Sequence, residues 1–98
     1  MSFNVTEAAA QRYKQEMQLE QGDYVRFYVR YGGTNGPGNG FSLGIRIIHP
    51  MAIGEQVERE GITFFIEQDD MWFLQDADLI VQHNAKTEEI EFIYEKRT

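Results

Sequence analysis

The sequence predicts a mainly β domain of the α+β class, with one N-terminal helix laid on two packed small sheets or on a flattened barrel. Three observations point there. A single helical pattern stands near the N-terminus, about six or seven short alternating or apolar runs follow it, and turn residues separate the runs throughout. The 98 residues, 42% hydrophobic and 13% aromatic, suffice for one compact core and leave too little for a second, so residues 1–98 are read as a single domain.

Thr6 precedes Glu7-Ala8-Ala9-Ala10, where its hydroxyl can cap a free backbone N–H while Glu7 faces the positive end of the helix dipole. Val5 and Ala10 stand where a hydrophobic staple forms. Ala10, Tyr13 and Met17 make a narrow apolar stripe, which predicts a helix running from Glu7 to Glu20 with Gly22 past its end.

The stretch from Tyr24 to Ile48 is an alternating hairpin. Val25, Phe27, Val29 and Tyr31 face one way and Tyr24, Arg26, Tyr28 and Arg30 the other; after a loop, Phe41, Leu43, Ile45 and Ile47 repeat the apolar face. Pairing Tyr31 with Phe41 makes the apolar faces coincide and sets Val29 opposite Leu43, Phe27 opposite Ile45 and Val25 opposite Ile47. Tyr28 then lies opposite Gly44, and Arg26 opposite Arg46 with Arg30 on the same face. Like charges in that position repel unless acid lies over them, so Arg26, Arg30 and Arg46 are either an anion-facing set or are paired within the fold. The outward residues Glu89, Glu91 and Glu95 of the last strand are the expected partners.

Between the two strands the run Gly32-Gly33-Thr34-Asn35-Gly36-Pro37-Gly38-Asn39-Gly40 is too long for a two-residue turn and too rich in glycine for a helix. An exposed, mobile loop is expected, with Gly32, Gly33, Thr34, Asn35, Gly36 and Asn39 as candidates for ligand or partner contact. It carries no phosphate fingerprint, because G-K-[ST] and a following helix are both missing.

His49-Pro50 ends the second strand, and a loop is expected through Gly54. Gln56 to Arg59 is short and polar, and Glu60-Gly61 is a tight turn into Ile62–Glu67, where Ile62, Phe64 and Ile66 share a face. Asp69 or Asp70 can cap a helical turn, Met71-Trp72-Phe73-Leu74, that closes at Asp76-Ala77-Asp78. Four apolar residues on one turn cannot all face the core: either three are buried, or Met71, Trp72 and Phe73 contribute to an interface with a second copy or another protein. Leu79-Ile80-Val81 is a strand and Asn84–Thr87 its turn. The last strand, Glu89–Glu95, places Ile90, Phe92 and Tyr94 inward.

A net charge of −7 disfavours nucleic acid and anionic membrane as partners. The charge is uneven: residues 1–50 hold five Lys/Arg and four Asp/Glu, residues 51–98 four and twelve. The halves attract, which suits packing into one fold. With no cysteine, disulfides, thiolate nucleophiles and cysteine-ligated clusters are excluded. The N-terminus has no leader pattern, and no apolar run approaches the roughly 18 residues of a membrane span, so a soluble cytoplasmic protein is expected. G-x-S-x-G is absent and no Ser–His–Asp spacing stands out, so no enzyme and no cofactor is expected. His49, His83, Glu67, Asp69, Asp70, Asp76 and Asp78 offer imidazole and carboxylate ligands without the spacing of a known metal motif.

The order of these motifs resembles the HesB-like family, the A-type carriers of iron–sulfur cluster assembly. The T-x-x-A-A helix opening, VRFYVRYGG, the special loop, the F-x-L strand and GITFFIEQDDMWFLQDADL follow one another as they do there, over nearly the whole chain. The resemblance implies a HesB-like fold, a cytoplasmic setting and homo-oligomers. It does not imply a cluster, because Thr34 stands where the family places its first cysteine, and the chain reaches Glu95-Lys96-Arg97-Thr98 where the tail cysteines would begin. The expectation is a non-enzymatic small binding or accessory protein; the alternative is an iron-binding protein using His and carboxylate ligands.

Overall fold

The computed structural model describes residues 3–33, 36–37, 40–74 and 77–96. Its elements are β1 (Phe3–Val5), α1 (Glu7–Glu16), β2 (Tyr24–Tyr31), β3 (Phe41–Ile47), β4 (Ile53–Arg59), β5 (Ile62–Glu67), a 3-10 helix (Gln68–Leu74), β6 (Ala77–Asn84) and β7 (Glu89–Lys96). They form a four-stranded sheet of order β3-β2-β5-β4 and a three-stranded sheet of order β1-β6-β7. Among the described residues the fold is thus mainly β with one α-helix on two packed sheets, and no barrel closes. Among the described residues no helix is long and apolar enough to cross a membrane.

The β2–β3 hairpin has the register that its two apolar faces require, all the way from Val25 opposite Ile47 to Tyr31 opposite Phe41. Tyr28 lies over the bare backbone of Gly44, where a Cβ would run into its ring. Glu60 and Gly61, at φ 57° and 76°, form the tight turn between β4 and β5, and both adopt the left-handed conformation that such a hairpin needs. β4 starts at Ile53, where a loop is expected. A register shift between Ile53 and Glu55 breaks its alternation, and Val57 is its one buried residue, so the strand leaves almost no periodic trace.

Thr6 caps α1 as expected, accepting from the Ala9 N–H at 3.2 Å. The helix ends at Glu16, one turn earlier than its pattern suggests. Gln18 turns left-handed at φ 54°, and the Leu19 N–H reaches back to the Lys14 carbonyl at 2.9 Å. That arrangement closes the last turn and buries Leu19, which a continued helix would carry away from the core. β1 has no counterpart in the sequence reading. Its three residues pair in parallel with Leu79, Ile80 and Val81 and bury Phe3 and Val5 completely.

The core lies between the inner faces of the sheets, with α1 packed against it through Ala9, Ala10 and Tyr13. Phe27 is at its centre: the rings of Phe3, Tyr13, Phe64 and Phe92 stand 5.8, 6.0, 6.2 and 5.8 Å from it. Ile90, Phe92 and Tyr94 pack against this core from β7, as their alternation predicts.

β3 and β4 occupy opposite edges of one sheet, so the chain between them must cross β2 and β5. It crosses over the outer face. His49 lies 5.5 Å from the Tyr24 ring, and the Met51 and Ala52 N–H groups donate to the Glu67 carboxylate at 2.7 and 2.9 Å. Phe65 and Glu67 are therefore buried although they face away from the core. The two backbone donors, helped by the nearby Arg26 charge, hold the Glu67 carboxyl below its ordinary value of 4.5. A carboxylate with a lowered pKa stabilises the fold above its unfolded-state pKa, and that contribution is lost as pH falls through the folded one. The urea midpoint is expected to drop below pH 4.5 in the native chain. Glu67→Gln should lower it at neutral pH and flatten the acid limb; an unchanged acid limb would show that Glu67 does not hold the crossing.

Candidate functional site

The site is built where β5 leaves the sheet. β5 pairs with β2 only from Tyr24 to Arg26, and the 3-10 helix takes its place beside the rest of β2. Asp70 fastens it there. Its Oδ2 accepts from Arg26 Nη2 at 2.9 Å and from the Val29 N–H at 3.5 Å, with both side chains mostly buried. The following residues are aimed by this contact: Met71 packs against Gly54, Phe73 and Leu74 enter the core, and Trp72 stays 52% exposed.

Trp72 belongs to a row of five aromatic rings. Tyr31 to Phe41, Phe41 to Trp72, Trp72 to Phe73 and Phe73 to Tyr94 have centroids 5.5, 5.4, 6.0 and 5.9 Å apart, all edge to face. The buried end of the row is continuous with the core. At the other end Tyr31 is 82% exposed, because the hairpin runs on past the place where β5 stops covering β2. The row is thus anchored in the core at one end and open to solvent at the other.

The sequence-predicted residues divide accordingly. Of Met71, Trp72 and Phe73, only Trp72 is exposed; Phe73 is buried and Met71 half-buried, because the 3-10 helix turns its other apolar residues inward. Of the loop candidates, Gly32, Gly33 and Gly36 are described, whereas Thr34, Asn35 and Asn39 lie outside the described residues. Gly32 and Gly33 take φ of 95° and 80°, and Gly36 sits so close to the Phe41 carbonyl that a Cβ would collide with it. The loop start is thus tied to β3 by glycine.

The three arginines do not make one anion site. Arg26 is taken by Asp70, Arg30 Nε donates to the buried Ser42 hydroxyl at 3.2 Å, and Arg46 is exposed. The expected pairing with Glu89, Glu91 or Glu95 is also corrected: among the described residues none of them forms a salt bridge to these arginines. β7 belongs to the other sheet, and Glu91 is held there by Gln82 at 3.1 Å and Asn84 at 2.8 Å. The acid over Arg26 does come from the second half of the chain, but from Asp70 and Glu67.

The candidate metal ligands are scattered. Glu67 is occupied by backbone donors, Asp70 by Arg26, and His83 lies 3.3 Å from Arg12 and 3.5 Å from Glu88, remote from His49 beside Tyr24. Asp76 lies outside the described residues. Among the described residues no three His, Asp or Glu side chains group to hold a metal ion. Sequence reasoning missed Tyr31 as a surface residue, assigning it to the inner face; Phe41, assigned to the same face, is half-buried and packs against the core.

No family model matches the chain. It is 43% identical over 95 residues, 97% of its length and 100% of the relative's, to a Bacillus subtilis (strain 168) protein named pyruvate dehydrogenase inhibitor. It is 30% identical to an uncharacterised protein of Staphylococcus saprophyticus, over 94% of this chain and 97% of that one. An uncharacterised protein of Staphylococcus aureus (strain MRSA252) is also 30% identical, over 99% and 100%. With similarity at this level along the whole chain, the protein belongs to the family of the Bacillus subtilis pyruvate dehydrogenase inhibitor.

Proposed function

We propose that the chain is a non-enzymatic protein that inhibits pyruvate dehydrogenase by docking on it with the Tyr31–Phe41–Trp72 end of the molecule. Two things support this reading: the name of a relative matched along its full length, and an exposed aromatic row fastened to the core. The row is the observation that carries it. Tyrosine and tryptophan supply much contact area at little entropic cost, and this row is held in place before any partner arrives. The HesB-like motif order suits the same reading, as a scaffold whose cluster-holding cysteine is replaced by Thr34.

The test is inhibition of purified pyruvate dehydrogenase by the purified chain, with binding to the immobilised enzyme measured alongside. Trp72→Ala and Tyr31→Ala are each expected to weaken binding about tenfold or more, the loss of one interface hot spot. Met51→Ala removes a side chain that is 94% exposed at a different place, and it should have no effect. Absence of both inhibition and binding by the native chain would end the proposal. A doubled mass in solution that disappears with Trp72→Ala would instead assign the row to a homodimer.

A further inference from the structure

Among the described residues β7 is an edge of the three-stranded sheet, bonded to β6 on one side only. Alongside it runs a groove of about 560 Å3, lined by Gly36, Pro37, Ala77, Phe92, Tyr94 and Lys96. We propose that this edge accepts an extended segment of another protein as an added strand, and that the segment alternates apolar residues with lysine or arginine.

Each half of that pattern follows from one face of β7. An added strand sends every second side chain to the same face as its neighbour's. On the inner face those side chains enter the groove beside Phe92 and Tyr94, which are half-buried and packed on the core. On the outer face they meet Glu89, Glu91, Ile93 and Glu95, and none of the three glutamates pairs with a cation of this chain among the described residues. Glu91 is a fixed anion there, held by the amides of Gln82 and Asn84. Opposite charges in adjacent strands attract, so basic residues fit these positions.

The same glutamates disfavour a second copy as the occupant. Symmetric antiparallel pairing of β7 about Phe92 sets Glu89 of one copy opposite Glu95 of the other, and pairing about Ile93 sets Glu91 opposite Glu95. Like charges then face each other at both centres, as they do where natural edge strands are kept from self-association. The groove begins at Tyr94, where the aromatic row ends, so one partner can engage both surfaces. The inference nevertheless stands apart from the identity of that partner, because it is tested with synthetic strands.

The probes are blocked eight-residue peptides that alternate valine with lysine or valine with glutamate. The valine–lysine peptide is expected to bind and to slow amide exchange along β7, leaving β3 unchanged, while the valine–glutamate peptide does neither. Glu89→Lys/Glu91→Lys/Glu95→Lys should reverse the preference, with a loss of about tenfold for valine–lysine, the sum of three weak surface pairs. Should that variant fold poorly, Glu89→Lys/Glu95→Lys alters only the two exposed side chains and should shift the preference in the same direction. Ala77→Leu fills the groove without changing charge and should weaken the valine–lysine peptide as well. Equal binding of both peptides, or protection on another strand, would overturn the proposal. So would protection of β7 with a doubled mass when no peptide is present.

Discussion

Phe27→Ala is expected to cost about 4 kcal/mol, within the range for deleting a buried phenylalanine. The side chain has no exposed surface and is ringed by Phe3, Tyr13, Phe64 and Phe92. These neighbours come from β1, α1, β5 and β7, which are fixed in both sheets and the helix, so the surroundings cannot collapse inward to fill the space. A small domain has only about 5–15 kcal/mol of stability, so the variant should be partly unfolded in mild denaturant. The urea midpoint is the measurement, with an unchanged slope showing that the folded state has kept its extent. Phe27→Leu preserves most of the volume and should cost about 1.5 kcal/mol or less. A loss below that figure for Phe27→Ala would mean that the centre of the core lies elsewhere.

How far the sequence shows this molecule depends on how much of each element is governed by local pattern. The β2–β3 register is legible because seven cross-strand pairs carry one apolar and one polar face, and a slip by a single residue would invert both. Thr6 and the Glu60-Gly61 turn are legible because capping and tight turns are chemistry of adjacent residues. β1 is not, since three residues cannot show a period, and its pairing with β6 is a contact across most of the chain. The burial of Phe65 and Glu67 is hidden for a related reason. It depends on β3 and β4 standing at opposite edges, which obliges the Ile48–Ala52 connection to cross the outer face.

The site is legible by halves. Met71, Trp72 and Phe73 stand out together as more apolar residues than a short turn can bury, but only the fold shows that Trp72 is the exposed one. Its companion Tyr31 does not stand out, because alternation assigns it to the core and only the early departure of β5 leaves it in solvent. Charge patterning correctly implies that the second half of the chain neutralises Arg26. It cannot say that Asp70 does so, since strand alternation in β7 offers acids at equally regular spacing but on the other sheet.

Asp70→Ala is expected to lower stability by about 2 kcal/mol and to release the Trp72 turn. Arg26 and Asp70 have side chains 27% and 15% exposed, so removing the carboxylate leaves behind a largely buried guanidinium whose Nε already has no hydrogen-bond partner among the described residues. The Val29 N–H loses its contact in the same step. The chain has a single tryptophan, two residues further on, so its fluorescence reports this turn directly. Emission should shift to longer wavelength and become easier to quench in Asp70→Ala, under conditions where circular dichroism shows both sheets intact. A double-mutant cycle with Arg26→Ala separates the pair from the rest: coupling of about 1 kcal/mol or more is expected, and none would show that the 3-10 helix is held by packing alone. Partner binding should fall in Asp70→Ala as it does in Trp72→Ala, though the aromatic row itself is untouched. If binding survives while the fluorescence shifts, the row does not need to be held in advance, and Trp72 acts by contact area only.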